Sequence, residues 1–234
     1  MTEARYLEDT TARTFTATVV RSLDDRVVLD ETLFYPEGGG QPHDEGALSF
    51  DGETVRVVDV QKTDDIYHTV DGPTPPEGAT VEGRIDWDRR FAHMRYHTAQ
   101  HLLSAVLLAD FDAETTGNQL YADRARIDVA YERFTEDDFA QIESRMNEYI
   151  DADYAVRWYT MDRADAEASL DPERTRLHLL PDSITEVRIV EIDDVDRTAC
   201  AGTHVSNTGQ IGEFAITGRE TKGSAEERVS FVLA

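Results

Sequence analysis

The stretch "RRFAHMRYHTAQHLLSAVLLAD" (89–110) divides this chain of 234 residues into two regions of different character. It holds no glycine or proline, and alanine, leucine, methionine, arginine and glutamine dominate it, so it predicts one long helix. The residues before it read as strand and turn. Those after it mix helix and strand.

On the N-terminal side, residues 1–87 are predicted to form a small β-barrel. "TFTATVV" (14–20), "RVVLD" (26–30), "TVRVVDV" (54–60) and "DIYHTV" (65–70) are short and rich in valine and threonine, and Asp-Gly pairs punctuate them. "GPTPPEG" (72–78) reads as a rigid loop before a last strand, "ATVEGRID" (79–86). "FYPEGGGQPHDEG" (34–46) reads as a hairpin loop; it lacks the Gly-Lys-Ser/Thr ending of a phosphate loop.

On the C-terminal side, residues 88–234 are predicted to be a two-layer α/β domain, with helices on a mostly antiparallel sheet. After the long helix, "TEDDFAQIESRMNEYI" (135–150) has Thr135 as N-cap and an apolar stripe of Phe139, Ile142, Met146 and Tyr149. "RADAEASL" (163–170) is a shorter helix. Strands are expected at 125–131, 186–192, 212–218 and 227–233. The fold class is therefore α+β.

Composition bounds the rest. The formal net charge is −25, and lysine occurs only at Lys62 and Lys222 against 21 arginines. Acidic excess with arginine in place of lysine predicts a halophilic protein working in molar salt, where the Debye length is about 3 Å and surface charges scarcely repel. The single cysteine excludes an intramolecular disulfide framework and agrees with a reducing, cytoplasmic setting. No apolar run is long enough for a bilayer, so no membrane partner is expected.

That cysteine is Cys200 of "CAGTHV" (200–205), with His204 four positions on. The long helix carries His97 and His101, also four apart and hence on one helical face. Three imidazoles and a thiolate suit Zn2+ better than magnesium or calcium. Either pair alone is weak, since such spacings arise by accident; together they predict one shared ion. Four protein ligands close a tetrahedral site, so catalysis would need one ligand to yield, and His204, at the end of its turn, is the expected one. No catalytic residue beyond the metal ligands is legible. Arg84, Arg89, Arg90 and Arg95 crowd the approach to His97, and Arg219, Lys222 and Arg228 form a second group; both fit surface pairing or a phosphate-binding rim. His43, His68, His93 and His178 have no partner spacing and read as surface or core residues.

"HTAQHLL" and "CAGTHVSNTGQIG" resemble the two motifs of the alanyl-tRNA synthetase editing domain, "FYPEGGGQPHDEG" the glycine-rich segment of the barrel before it, and "ERVSF" its last strand. With four motifs in order from about residue 15 to the end, the chain resembles the free-standing AlaX editing proteins, in the medium-length form. The resemblance implies hydrolysis of the ester between alanine tRNA and a wrong amino acid, chiefly serine, with glycine a further candidate. It assigns zinc to His97, His101, Cys200 and His204, associates Gly38, Gly39 and Gly40 with restriction to seryl-tRNA, and leaves Thr115, Thr116 and Gln119 as alternatives for reading the serine hydroxyl. Ala201 departs from the family's usual glycine. The implied partner is the acceptor end of mischarged tRNA(Ala); oligomeric state is not implied. Two other readings stay open: a non-catalytic tRNA-binding module with structural zinc, and a zinc hydrolase of small amino-acid esters.

Overall fold

The structure, a computed structural model, describes residues 1–172, 174–175, 177–181, 183–223 and 225–234. Its contacts separate two compact units, Met1–His93 and Met94–Ala234.

The first unit opens with a two-residue strand β1 (Glu3–Ala4), then β2 (Thr14–Ser22), β3 (Arg26–Leu29), a second two-residue strand β4 (Glu31–Thr32), β5 (Gly46–Phe50), β6 (Glu53–Lys62), β7 (Ile66–Asp71) and β8 (Thr80–Ile85). Six of them close into an antiparallel barrel in the order β2-β3-β7-β6-β5-β8, while β1 and β4 pair in parallel beside it. Alternation drives closure: in β2 as far as Val19, and throughout β8, every second residue is buried. The inward set, with Phe15, Val19, Leu48, Val57 and Val81 among it, forms the core. Gly83 is required there, because a Cβ would lie 2.1 Å from the Phe15 ring. The glycine-rich stretch contains a tight turn. Gly38 and Gln41 exchange both backbone hydrogen bonds, and Gly39 and Gly40 sit at φ 59° and 85°, the two positive values of a type I′ turn. β5 directly follows this stretch and was not expected from the sequence.

Helix α1 (Trp87–Phe111) starts in this unit. Asp86 caps it by accepting from Arg89 N at 3.3 Å. Arg90, wholly buried, donates from Nε to both oxygens of the equally buried Asp44 (3.0 and 2.9 Å) and from Nη1 to the Thr10 carbonyl (3.1 Å). This is a buried ion pair, not surface pairing and not a phosphate rim. Arg89 is spent on the His43 carbonyl and Glu45, which leaves Arg84 alone of that unit's trio on the exposed surface.

In the second unit the remainder of α1 is followed by β9 (Glu114–Leu120), β10 (Ala125–Ala130), α2 (Glu136–Asp151), β11 (Val156–Asp162), α3 (Arg163–Ser169), β12 (Glu186–Ile192), β13 (Asp196–Ala199), β14 (Phe214–Thr221) and β15 (Glu227–Leu233). The expected α+β class holds, with the antiparallel strands divided into two sheets: β14-β15-β10-β9 and β11-β12-β13. Thr135 caps α2 in a reciprocal box with Asp138, and Ile142, Met146 and Ile150 are its buried stripe, Ile150 taking the place expected of Tyr149. Asn147 and Phe214 exchange hydrogen bonds that tie α2 to β14. α3 packs Ala166 with Leu170 against Val187 and Ile189 of β12. Arg95 is absorbed by the carbonyls of Ile211 and Ala234, and Arg219 and Arg228 by Glu227 and Asp128. No described helix is long and apolar enough to cross a membrane.

Candidate metal centre

α1 presents His97 and His101 four residues apart, and the turn after β13 presents Cys200 and His204. The four donor atoms lie within 4.8 Å of one another. Cys200 Sγ is 3.5 Å from His97 Nε2 and 3.4 Å from His204 Nε2. Tetrahedral zinc with ordinary Zn–N and Zn–S lengths spans about 3.5 Å between a nitrogen and a sulfur, so these edges suit one ion. The three rings crowd together, with centroids 4.4–5.1 Å apart.

Hydrogen bonds behind the rings decide which nitrogen faces inward. Thr98 Oγ1 gives its proton to the Met94 carbonyl (3.0 Å). It can then only accept, and it does so from Val205 N (3.2 Å) and from His204 Nδ1 (3.1 Å). His204 therefore carries its proton on Nδ1 and turns a lone pair at Nε2 to the cluster. His101 repeats the arrangement, with Nδ1 donating to Asp196 Oδ2 at 3.2 Å. Asp196 is held in turn by Arg174, whose Nε and Nη2 reach its two oxygens at 2.7 Å each and whose Nη2 also reaches the His101 carbonyl. Such outer carboxylates fix ring orientation at metal centres.

Electrostatics favour the metal-binding forms of Cys200 and His204 and oppose that of His101. Burial by itself would raise the Cys200 thiol, but His97, His101 and His204 around it pull it well below its ordinary value. Burial, and then His97, push His204 down to about 3, which keeps it neutral. Burial would lower His101 as well; the neighbouring Cys200 and the Asp196 hydrogen bond outweigh it and raise His101 to about 9. A dication bound there would have to displace the proton that His101 favours. Asp196 is also buried, yet Arg174 and His101 hold its carboxyl below the usual range.

His204, expected to be the loose member, is wholly buried and held by Thr98, while Cys200 is the one of the four that is partly exposed. Its turn is not slack either. Arg188 Nη1 donates to the carbonyls of Cys200 (2.7 Å) and Gly202 (3.0 Å), and Gly202 N points at Sγ (3.3 Å). Ala201 is exposed and is not among the positive-φ residues, so its methyl costs nothing there.

The three candidates after the helix part company. Thr115 hydrogen-bonds Ser104, which continues the His97–His101 face of α1 one turn on. Thr116 is exposed and bonds Glu226 Oε1 at 2.7 Å. Gln119 pairs with Arg126, on the sheet face opposite Thr115. Gly38, Gly39 and Gly40 belong to the first unit. Asp196, Arg174 and Thr98 were not read from the sequence. An acid among the acids of "DDVDR" and a threonine inside a helix carry no pattern of their own.

Residues 2–89 match a family model described as tRNA synthetases class II (A), and residues 187–230 one described as threonyl and alanyl tRNA synthetase second additional domain. The alanyl-tRNA editing protein AlaX-M of Methanosarcina barkeri is 43% identical over 241 residues, covering 100% of this chain and 99% of that protein. Its counterpart in Methanosarcina acetivorans is 42% identical over 246 residues with the same coverage. The alanine–tRNA ligase of Thermococcus kodakarensis is 40% identical over 235 residues, 98% of this chain but 25% of the ligase. With this identity sustained from end to end, the chain belongs to the AlaX-M family of alanyl-tRNA editing proteins.

Proposed function

We propose that this chain hydrolyses the ester joining a wrong amino acid, chiefly serine, to alanine tRNA, with one zinc ion held by His97, His101, Cys200 and His204. The observation that carries this reading is the convergence of those four donors in a chain that matches editing proteins over its full length. The −25 charge and the scarcity of lysine support molar salt as its working medium.

Hydrolysis breaks the bond between the acyl carbon and the ribose oxygen; water's hydroxyl goes to the acyl carbon and its proton to the ribose. Zinc on these donors would supply Lewis acidity and a fixed positive charge beside the ester. The chain does the rest. Asp196 keeps the Nδ1 proton on His101 and fixes its ring. Thr98 does the same for His204. Arg188 holds the turn that carries Cys200, the least enclosed ligand and so the open side of the cluster. Thr115 is our candidate for reading the amino acid's side chain, supported by its hydrogen bond to Ser104 of α1.

The test is deacylation of Ser-tRNA(Ala), Ala-tRNA(Ala) and a small seryl ester at high salt, with and without a chelator. The expected result is turnover of Ser-tRNA(Ala), lost on chelation and in Cys200→Ala or His101→Ala. Wild-type turnover in either variant sinks the mechanism. Binding without turnover favours the tRNA-binding module, and turnover of the free ester alone the small-ester hydrolase.

A further inference from the structure

Arg13 and Arg84 stand apart in this acidic chain. Every other arginine of the first unit lies in an ion pair, with Glu31, Asp64, Asp25, Glu45 or Asp44. Among the described residues these two have no such partner, although both are exposed. With 48 acids against 23 bases, an unneutralised arginine is the exception, and two together mark a place where an outside anion fits.

Backbone pairing sets them side by side. Ile85 N donates to the Arg13 carbonyl at 2.9 Å, and Thr14 is opposite Arg84 in the β2–β8 ladder. Arg13 is also fixed at its head, with its guanidinium 4.1 Å from the centroid of the Trp87 ring. Stacking occupies the flat face of a guanidinium and leaves its edge, the fork of N–H donors, to the outside. From Arg84 the outer wall of the barrel continues across β5 and β6. Ala47 and Arg56 extend that row, and Thr16, Glu82, Ser49 and Thr54 form the next. A hollow of about 550 Å³ lies over this wall, bordered by the hydroxyls of Thr14, Thr16, Ser49 and Thr54 and by Arg84 and Glu82.

The chemistry of the wall selects its partner. Two cations beside a row of hydroxyls suit a polymer of alternating phosphate and sugar. Arginine forks take phosphate oxygens, and serine and threonine hydroxyls take phosphate or ribose. Glu82, the one acid bordering the hollow among the described residues, narrows the choice. A carboxylate repels phosphate but accepts from a ribose 2′-hydroxyl, a donor that RNA has and DNA lacks. The minor groove of an A-form stem is wide and shallow and displays those hydroxyls, so a barrel wall can meet it. We infer that the outer wall of β2, β8 and β5 is an RNA-docking surface. Arg13 and Arg84 hold backbone phosphates there, and Glu82 a 2′-hydroxyl, in the base-paired acceptor arm of the tRNA being edited.

This rests on the proposed function, and the test keeps the two apart. Zinc-loaded wild type, Arg13→Gln, Arg84→Gln and the double variant are assayed across a salt series on Ser-tRNA(Ala) and on seryl-adenosine, which has the ester but no RNA arm. Affinity for uncharged tRNA(Ala) is read by fluorescence anisotropy. Each single variant binds tRNA roughly 3- to 10-fold more weakly, and the slope of log affinity against log salt shrinks by about one per arginine. KM for Ser-tRNA(Ala) rises with kcat unchanged, since the lost contact is made equally before and during the reaction. Seryl-adenosine kinetics do not change. The wild type prefers an acceptor-arm hairpin made of RNA over the same hairpin in DNA, and Glu82→Ala loses that preference. Unchanged tRNA affinity and salt slope in the double variant overturn the inference. Equal loss on seryl-adenosine makes the arginines structural and overturns it as well, as does a wild type indifferent to RNA against DNA. If the wild type cleaves neither substrate, the hydrolytic function fails, and the anisotropy measurement still decides the surface: weaker tRNA binding in the double variant supports it and unchanged binding sinks it.

Discussion

Replacing Asp196 with asparagine changes almost no volume, yet it should weaken zinc binding. The carboxylate accepts from His101 Nδ1 at 3.2 Å and, through both oxygens, from Arg174 at 2.7 Å. Asparagine offers one acceptor oxygen and one amino group. If the oxygen serves His101, the amino group confronts the Arg174 guanidinium, donor against donor. If it serves Arg174, the His101 ring loses its anchor and its tautomer is no longer fixed. Loss of such an outer carboxylate typically costs 10- to 100-fold in metal affinity, or about 1.4–2.7 kcal/mol. Arg174 is also left without its charge partner in a largely enclosed place, so the zinc-free protein should lose about 1–3 kcal/mol of stability, less than for a wholly buried pair. Zinc affinity is read by competition with a chromophoric chelator, and stability by urea unfolding of the metal-free protein. A variant that binds zinc within threefold of the parent would refute the claim that this carboxylate orients the ligand.

Two predictions concern the barrel. His68 is wholly buried, with Nδ1 facing the Val27 carbonyl and Nε2 facing Thr32 Oγ1 at 2.8 Å, and burial lowers it to about 4 against the opposing pulls of the Val27 carbonyl and Asp65. The unfolded chain therefore takes up a proton near pH 6.5 that the folded barrel refuses until about pH 4. Stability falls as pH drops through that window, by about 3 kcal/mol, and is level below it; urea midpoints at pH 7 and 4.5 should show a shallower fall in His68→Gln, and equal slopes would refute this. Arg90→Met strands the buried Asp44 and should cost about 3–5 kcal/mol in urea unfolding, part of it recovered by adding Asp44→Asn; a neutral single variant would mean the pair contributes nothing.

Legibility followed periodicity. The long helix could be read because alanine and leucine run through it without a breaker, and β2, β12 and β15 because apolar residues alternate or cluster in them. β9 escaped notice: "ETTGNQL" has one strongly apolar residue, since its inward positions include the polar Thr115 and Asn118. β13 escaped for its brevity and its charged start. The four metal-cluster residues were legible through paired spacing, and the structure brings them together. Their supports were not, because Asp196, Arg174 and Thr98 become special only through contacts spanning from four to over a hundred residues. The arginines before His97 misled for the opposite reason: Arg89, Arg90 and Arg95 are each spent on a different partner, and Arg84 is left exposed.

The Arg90–Asp44 pair also bears on how this architecture can be taken apart. The barrel's last strand ends at Ile85, but the guanidinium that neutralises its interior acid sits beyond it, in the second turn of the helix. A gene cut at the strand's end would leave the buried Asp44 carboxylate without its guanidinium. Any transplantable version of this module has to carry the opening turns of the next element as part of itself, so its natural seam runs through a helix rather than a loop.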